Sequence, residues 1–254
     1  MKRFTADIFK VQDELDPAKI GTAGLFIVVN HLARSPIKFT PSNEMEGDLL
    51  ESWKIENDFK KFELKLKSNE KFSDGTEITA DDFVFSLTRQ MKLKTANHFD
   101  FFMIEEVKKI DKYTVQVVLK DTDVLFLESL SYPEFGILSP RNIQNGSVDF
   151  SFSSGPYYLK EKNETYIDID ANPFFQDFAS GAPKNIRFTW SESSQKARKL
   201  KDNEIDFSLF FSDLSRKDFN SLRNDKNLAV NYPHIGHTFW LSLNPSSKIS
   251  ILLK

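Results

Sequence analysis

Apolar residues recur along this chain in two rhythms. At 53–55, and again at Phe62, Leu64 and Leu66, they alternate with charged neighbours such as Lys61, Glu63, Lys65 and Lys67. A period of two predicts a hairpin with one wet face, turning at Asn57-Asp58. A second hairpin is predicted over 104–110 and 113–119, turning at Asp111-Lys112, with Val115, Val117 and Leu119 on one face. Between the two hairpins the rhythm becomes helical, with Phe83, Val84, Leu87 and Met91 forming one apolar face. Ser73-Asp74-Gly75-Thr76 precedes that helix as a turn, in which Gly75 supplies φ > 0. Thr79-Ala80-Asp81-Asp82 reads as a capping box with Asp in the Glu position, which places two acids at the helix N-terminus.

The rest of the chain alternates short strands and helices. Residues 4–9 predict a strand, Leu15-Asp16-Pro17-Ala18 a turn, and 21–30 a helix rich in Leu, Ile and Val. Residues 35–47, with Pro36 and Pro41, read as a loop. An apolar helix is expected at 124–130. Strands are expected after Gly155-Pro156, at 166–170 and at 186–190. A helix over 193–200 stops at Asn203, a residue that tolerates the left-handed geometry past a helix end. Ile205-Asp206-Phe207 predicts a short strand, and Ser215 with Asp218 caps a further helix through Leu222. The order of segments implies a mixed sheet with a segment inserted into it.

Composition narrows the function. The 254 residues carry 34 basic and 37 acidic side chains, a net charge of −3, with no basic stripe, so nucleic acid is not an expected partner. Nine glycines against 25 phenylalanines argue for packed aromatic side chains and against a glycine-rich phosphate cradle. The absence of Cys removes disulfides, thiolate metal sites and a Cys nucleophile. No Gly-x-Ser-x-Gly elbow or His-Glu-x-x-His occurs, and Asp81 and Asp82 are adjacent on a helix and point apart, so an enzyme is not expected. His234 and His237 sit in a loop with Pro233 and Gly236, and His31 and His98 have no evident partners, so neither metal nor cofactor is expected. The Phe-rich stretches 99–102, 174–178 and 207–211 read as core. No apolar run is long enough to span a membrane, and Met1-Lys2-Arg3-Phe4 shows no signal-peptide h-region.

Several of these residues together resemble a known family. Leu50-Glu51-Ser52-Trp53, Lys71-Phe72-Ser73-Asp74-Gly75-Thr76, Thr79-Ala80-Asp81-Asp82 with Phe85-Ser86-Leu87, Gly155-Pro156-Tyr157 and Asn172-Pro173 look like the signature of bacterial extracellular solute-binding proteins of the oligopeptide, dipeptide and nickel type. The turn after Asn172-Pro173 departs from the family's pattern, with Gln176-Asp177-Phe178 where a Trp or Gly-rich turn is usual. The resemblance implies an α/β fold. It is the mixed-sheet lobe of a periplasmic-binding-protein-like fold with an inserted smaller α/β subdomain, and the second lobe is absent from this sequence. The implied boundaries are 1–40 for the first part of lobe I, 41–150 for the insert, 151–238 for the second part, and 239–254 for a strand crossing toward the second lobe. The implied function is the solute-binding component, for peptide above all, of an ABC transport system. Its partners would be a peptide or other small solute and a membrane permease, in the periplasm or outside the cell. The alternative is a sensory or protein-interaction module derived from that lobe, with a protein partner on the exposed cleft face.

The same resemblance points to a ligand surface. The loop with Thr22 and Ala23, and the crossing strand with Trp240 and Asn244, would line the cleft, and Asn97 with His98 would approach from the insert. Trp240 offers a flat apolar face, and Asn244 both donates and accepts hydrogen bonds, as a peptide backbone requires. Against this stand a buried Trp240, an Asn244 that caps a turn before Pro245, and a Thr22 loop that is small because a helix starts there. Trp240→Ala separates the two. Loss of a core tryptophan costs about 3–5 kcal/mol in chemical denaturation, whereas loss of a cleft side chain leaves the midpoint nearly unmoved.

Overall fold

The structure is a computed structural model that describes residues 3–11, 14–93, 99–209 and 215–229. Residues 1–212 form one compact unit and 213–254 a second. In the first unit the strands in chain order are β1 Phe4–Asp7, β2 Ile37–Phe39, β3 Met45–Gly47, β4 Leu50–Glu56, β5 Lys61–Leu66, β6 Ile104–Lys109, β7 Thr114–Leu119, β8 Ile143–Gln144, β9 Ser147–Val148, β10 Tyr157–Lys162, β11 Tyr166–Ala171, β12 Asn185–Thr189 and β13 Phe207–Ser208. The helices are α1 Ala23–Leu32, α2 Ala80–Leu93, α3 Phe99–Met103, α4 Phe126–Ser129 and α5 Ser193–Lys201.

Two sheets organise the unit. One is an antiparallel four-stranded sheet in the order β4-β5-β7-β6, and the other a mixed five-stranded sheet in the order β10-β11-β12-β1-β13. The first follows from the alternating pattern. Phe62, Leu64 and Leu66 of β5 and Val115, Val117 and Leu119 of β7 point to one face and are buried, and Phe83 and Leu87 of α2 cover them. Phe62 and Phe126 meet with ring centroids 4.8 Å apart. In the second sheet β12, β1 and β13 run parallel, and β10 and β11 add an antiparallel edge. Leu25, Val28, Val29 and Leu32 of α1 bury its inner side together with Ala6, Ile167, Ile169 and Phe188. The expected α/β, mixed-sheet class is what the chain adopts. In the second unit, helix α6 (Arg216–Arg223) starts as expected, with Ser215 Oγ accepting from the N–H of Asp218 at 3.0 Å.

Some elements differ from the pattern. The 35–47 stretch is a small hairpin rather than a loop, because Pro36 and Pro41 flank β2 instead of interrupting it and Asn43 turns the chain at φ 64°. Asp16 does more than turn. It caps a 3-10 helix over Pro17–Lys19, is fully buried, and takes both arms of Arg89 at 2.9 and 2.7 Å. The Phe-rich stretches are not all core. Phe101 is buried, but Phe102, Phe174 and Phe207 are exposed. Asn57, Asp58 and Phe59 all take positive φ at the first hairpin's turn, so the left-handed stretch is longer than a two-residue turn requires.

The capping box at α2 is half of one. Asp82 Oδ2 accepts from the N–H of Thr79 at 3.0 Å, but the Thr79 hydroxyl donates to the same oxygen at 3.1 Å instead of capping the helix. Asp81 points outward to Lys109 at 2.7 Å, so the two acids do point apart. Burial lifts the Asp82 carboxyl above the usual carboxylate range, against the pull of the Thr79 hydrogen bonds. Between its unfolded and folded pKa the folded chain binds the extra proton, so this group's contribution to stability falls as pH rises through that window. Asp82→Asn should therefore gain on the wild type as pH rises from the acid range toward neutrality. Asp82→Ala, which leaves a buried N–H without its acceptor, should cost about 1–3 kcal/mol at any pH. Urea titrations of the three proteins across pH check both.

Candidate functional site

Strand β1 and strand β13 are parallel neighbours, and both point their carboxyl ends the same way. Ligands in open α/β sheets bind outside those ends. Here the chain leaves β1 through Ile8 and Phe9 and later returns over them to begin α1. Thr22 is that helix's N-cap, extended at φ −135°, and its hydroxyl accepts from the N–H of Leu25 at 3.3 Å. A Cβ at Gly24 would stand 2.4 Å from the carbonyl oxygen of Phe9, so only glycine lets the helix start this close to the strand exit.

The result is an open concavity of about 490 Å³, with Phe9, Ile20, Thr22, Ala23, Phe26 and Leu209 among its lining residues. Its size suits a small ligand or one side chain of a larger one. The lining is almost wholly apolar, with Phe26 presenting part of its ring to solvent. Below its rim lies charge the sequence reading did not find. Asp7, fully buried at the end of β1, stands 3.5 Å from Lys196 Nζ of α5, and the Ser191 hydroxyl donates to its other oxygen. Lys196 Nζ also donates to the carbonyl of Leu209 at 3.0 Å and sits 5.6 Å from the Phe9 ring centre. The pair thus joins the exits of β1 and β13. The only signal available beforehand was a Lys beside Ala197 on the inner side of a short, mostly polar helix.

Thr22 and Ala23 both line this concavity, and Thr22 is also the N-cap of α1. Asn97, His98, Trp240 and Asn244 lie outside the described residues, as do His234 and His237. His31 has the partners the sequence did not reveal. Its Nδ1 pairs with the Ile27 carbonyl at 2.7 Å, and its ring packs against Tyr157 and Phe188. Burial lowers its pKa, with the Ile27 contact acting the other way. Among the described residues no group of three or more His, Asp or Glu side chains is placed to hold a metal, and no helix is long and apolar enough to cross a membrane. Among the described residues the wall carries no charged side chain, and its one side-chain hydroxyl, on Thr22, takes the N–H of Leu25, so the surface is suited to covering an apolar group.

The chain belongs to the bacterial extracellular solute-binding proteins, family 5, whose middle-region model matches residues 44–250. Members of that family are binding proteins and are periplasmic or extracellular. The chain is 27% identical over 216 residues to the probable D,D-dipeptide-binding periplasmic protein DdpA of Escherichia coli K12, covering 81% of this chain and 41% of that protein. It is 26% identical over 175 residues to the glutathione-binding protein GsiB of the same strain, covering 65% of this chain and 34% of that one. Solved structures share its fold. NikZ from Campylobacter jejuni in complex with Ni(L-His) matches at a TM-score of 0.77 and 21% identity, over 89% of this chain and 46% of that chain. DppA from Helicobacter pylori in complex with the peptide STSA matches at 0.77 and 18%, over 89% and 49%. The chain therefore spans less than half the length of these relatives.

The strand exit makes two substitutions informative. Gly24→Ala gains helix propensity worth about 1 kcal/mol, but its methyl meets backbone carbonyls that cannot swing aside. The net effect should be a loss of about 1–3 kcal/mol. Thr22→Ala should cost about 1 kcal/mol as a lost cap. Chemical denaturation reads both, and a Gly24→Ala chain as stable as the wild type would mean that α1 does not start against Phe9.

Proposed function

We propose that this chain supplies one lobe of the receptor of an ABC importer, and that the lobe holds a small solute, most suitably a peptide, against the hollow at Thr22, Ala23 and Phe26. The observation that carries the reading is the open apolar concavity at the carboxyl ends of parallel β1 and β13, in a chain of this family. The lobe is built from 1–40 and from the segment beginning at 151, with 41–150 inserted. What supports that division is the pairing of β1 with β12 and β13 and the separate antiparallel sheet of β4–β7. Trp240 and Asn244 complete the ligand surface from the strand that follows, and Asn97 and His98 approach it from the insert. The membrane permease receives the solute, and the work is done outside the cytoplasmic membrane.

Receptors of this shape enclose their ligand by closing two lobes about a hinge. One lobe alone offers part of the contacts and no enclosure. Calorimetry of this chain against a mixed peptide pool should show no saturation below about 1 mM, and micromolar binding would overturn the division of contacts between lobes. Phe26 is partly exposed, so Phe26→Asp should leave the fold intact. It should remove whatever weak peptide contact ligand-observed NMR detects, and unchanged line broadening would move the ligand surface elsewhere.

A further inference from the structure

The hairpin of β10 and β11 carries a cluster that solute binding does not use. Its tip reads Glu161-Lys162-Asn163-Glu164-Thr165, and all five residues are exposed. Asn163-Glu164-Thr165 is an Asn-x-Thr sequence, the pattern that addresses an asparagine for N-linked glycan transfer in exported proteins. We propose that Asn163 is an N-glycosylation site, taking its glycan from a polyprenyl-pyrophosphate-linked oligosaccharide.

Two features of the turn favour this asparagine. The first is how its amide is held. Oδ1 accepts from the Thr165 N–H at 2.9 Å, the Thr165 hydroxyl at 2.9 Å and the Tyr166 N–H at 3.1 Å. Nδ2 points the other way and donates to Glu161 Oε1 across 3.3 Å. Hydrogen bonds donated to Oδ1 draw electron density from the amide and acidify its N–H, and a carboxylate beside Nδ2 favours loss of that proton. The second is that Nδ2 is dispensable to the fold. The three side-chain bonds at the turn end on Oδ1, and the Asn163 N–H donates to the Tyr166 carbonyl at 3.0 Å; glycosylation leaves all four in place. Asn172 is the opposite case, since it is buried and its Nδ2 donates to the Gly155 carbonyl at 2.9 Å.

In the transfer a bond forms between Nδ2 and the anomeric carbon of the first sugar. The bond from that carbon to the pyrophosphate oxygen breaks, and the polyprenyl pyrophosphate leaves with the electron pair. One Nδ2 proton passes to a carboxylate of the transferase. No oxidation or reduction is involved.

The chain contains its own comparison. Asn145-Gly146-Ser147 has the same three-residue pattern at the β8–β9 turn, but there the Ser147 hydroxyl donates to Glu14 at 3.0 Å, and the residue two before Asn145 is Ile143. Neither the hydroxyl nor a carboxylate serves the amide, so Asn145 should stay unmodified.

The test is to incubate the full chain with a purified bacterial single-subunit oligosaccharyltransferase and a polyprenyl-pyrophosphate-linked oligosaccharide, and to read intact mass and peptide maps. The expected result is a gain of one glycan, mapped to Asn163 and abolished by Asn163→Gln. Thr165→Ala should slow transfer about tenfold or more, as loss of one hydrogen bond near 1.4 kcal/mol does. A far-UV circular dichroism spectrum of Asn163→Gln that matches the wild type, with a melting temperature lowered only by the lost turn bonds, shows that the loss is not one of folding. The proposal fails if the folded chain gains no mass while a known acceptor peptide is modified in the same mixture, or if the gain survives Asn163→Gln.

Discussion

One buried guanidinium ties the first unit together. Arg34 follows α1, is 3% exposed, and donates to Asp48 at 2.8 Å and to Glu70 at 2.6 Å, with a further bond to the Asp48 carbonyl at 3.1 Å. Its plane lies over the ring of Phe175, with 5.0 Å between centres. Its backbone takes part too, with the N–H on Ser154 Oγ and the carbonyl on the Ile137 N–H. Burial works against the charge, but the carboxylates of Asp48 and Glu70 outweigh it and raise the pKa. Segments near 34, 48, 70, 137, 154 and 175 thus meet at one residue. Separating Asp48 or Glu70 from it would leave a buried charge short of its partner, which costs several kcal/mol, so the end of α1 is held to the segments on either side of the β4–β5 hairpin.

That relation sets the site. Ten residues of α1 span about 15 Å from the Arg34 cluster to the concavity. The helix is pinned at its far end by Arg34 and at its near end by Gly24 against Phe9, so the Thr22 cap cannot drift from the strand exits. The bidentate pair of Asp16 and Arg89 fastens the intervening chain to α2. Lys196 then holds the exit of β13 to that of β1. The hollow is shaped by polar contacts beneath an apolar surface.

What the sequence revealed and what it hid follow one physical line. The β4–β5 and β6–β7 hairpins and the α2 face were legible because their partners are near in sequence and the period of two or 3.6 repeats over enough residues. Asn203, at φ 56° past α5, was legible because few residues tolerate that geometry. The β2–β3 hairpin was hidden because three-residue strands beside prolines carry too little pattern. Arg34 with Glu70, and Asp7 with Lys196, were hidden because they pair across 36 and 189 positions, and nothing local in a lysine or an arginine announces burial. At the candidate site, Thr22 and Ala23 came from the family resemblance. The Phe9 and Phe26 walls did not, since an aromatic in an apolar run reads as core until its exposure is known.

The same geometry separates folding from binding. Each sheet has its own apolar cluster, closed by helices of the same unit, so the described core between residues 3 and 209 is complete without a ligand. The hollow at the strand ends shares Ile20 with the second cluster, with Ile27 and Leu209 packed at its edge, but Phe26 keeps part of its ring in water. A side chain that is still wet in the folded lobe has apolar free energy left to release, about 25 cal/mol for each Å² later covered. In a receptor that closes on its solute, that reserve belongs to the binding step and not to the folding step. Under the proposed function, Phe26 can change with the solute while the Arg34 cluster stays as it is, and one fold can then serve receptors for different ligands.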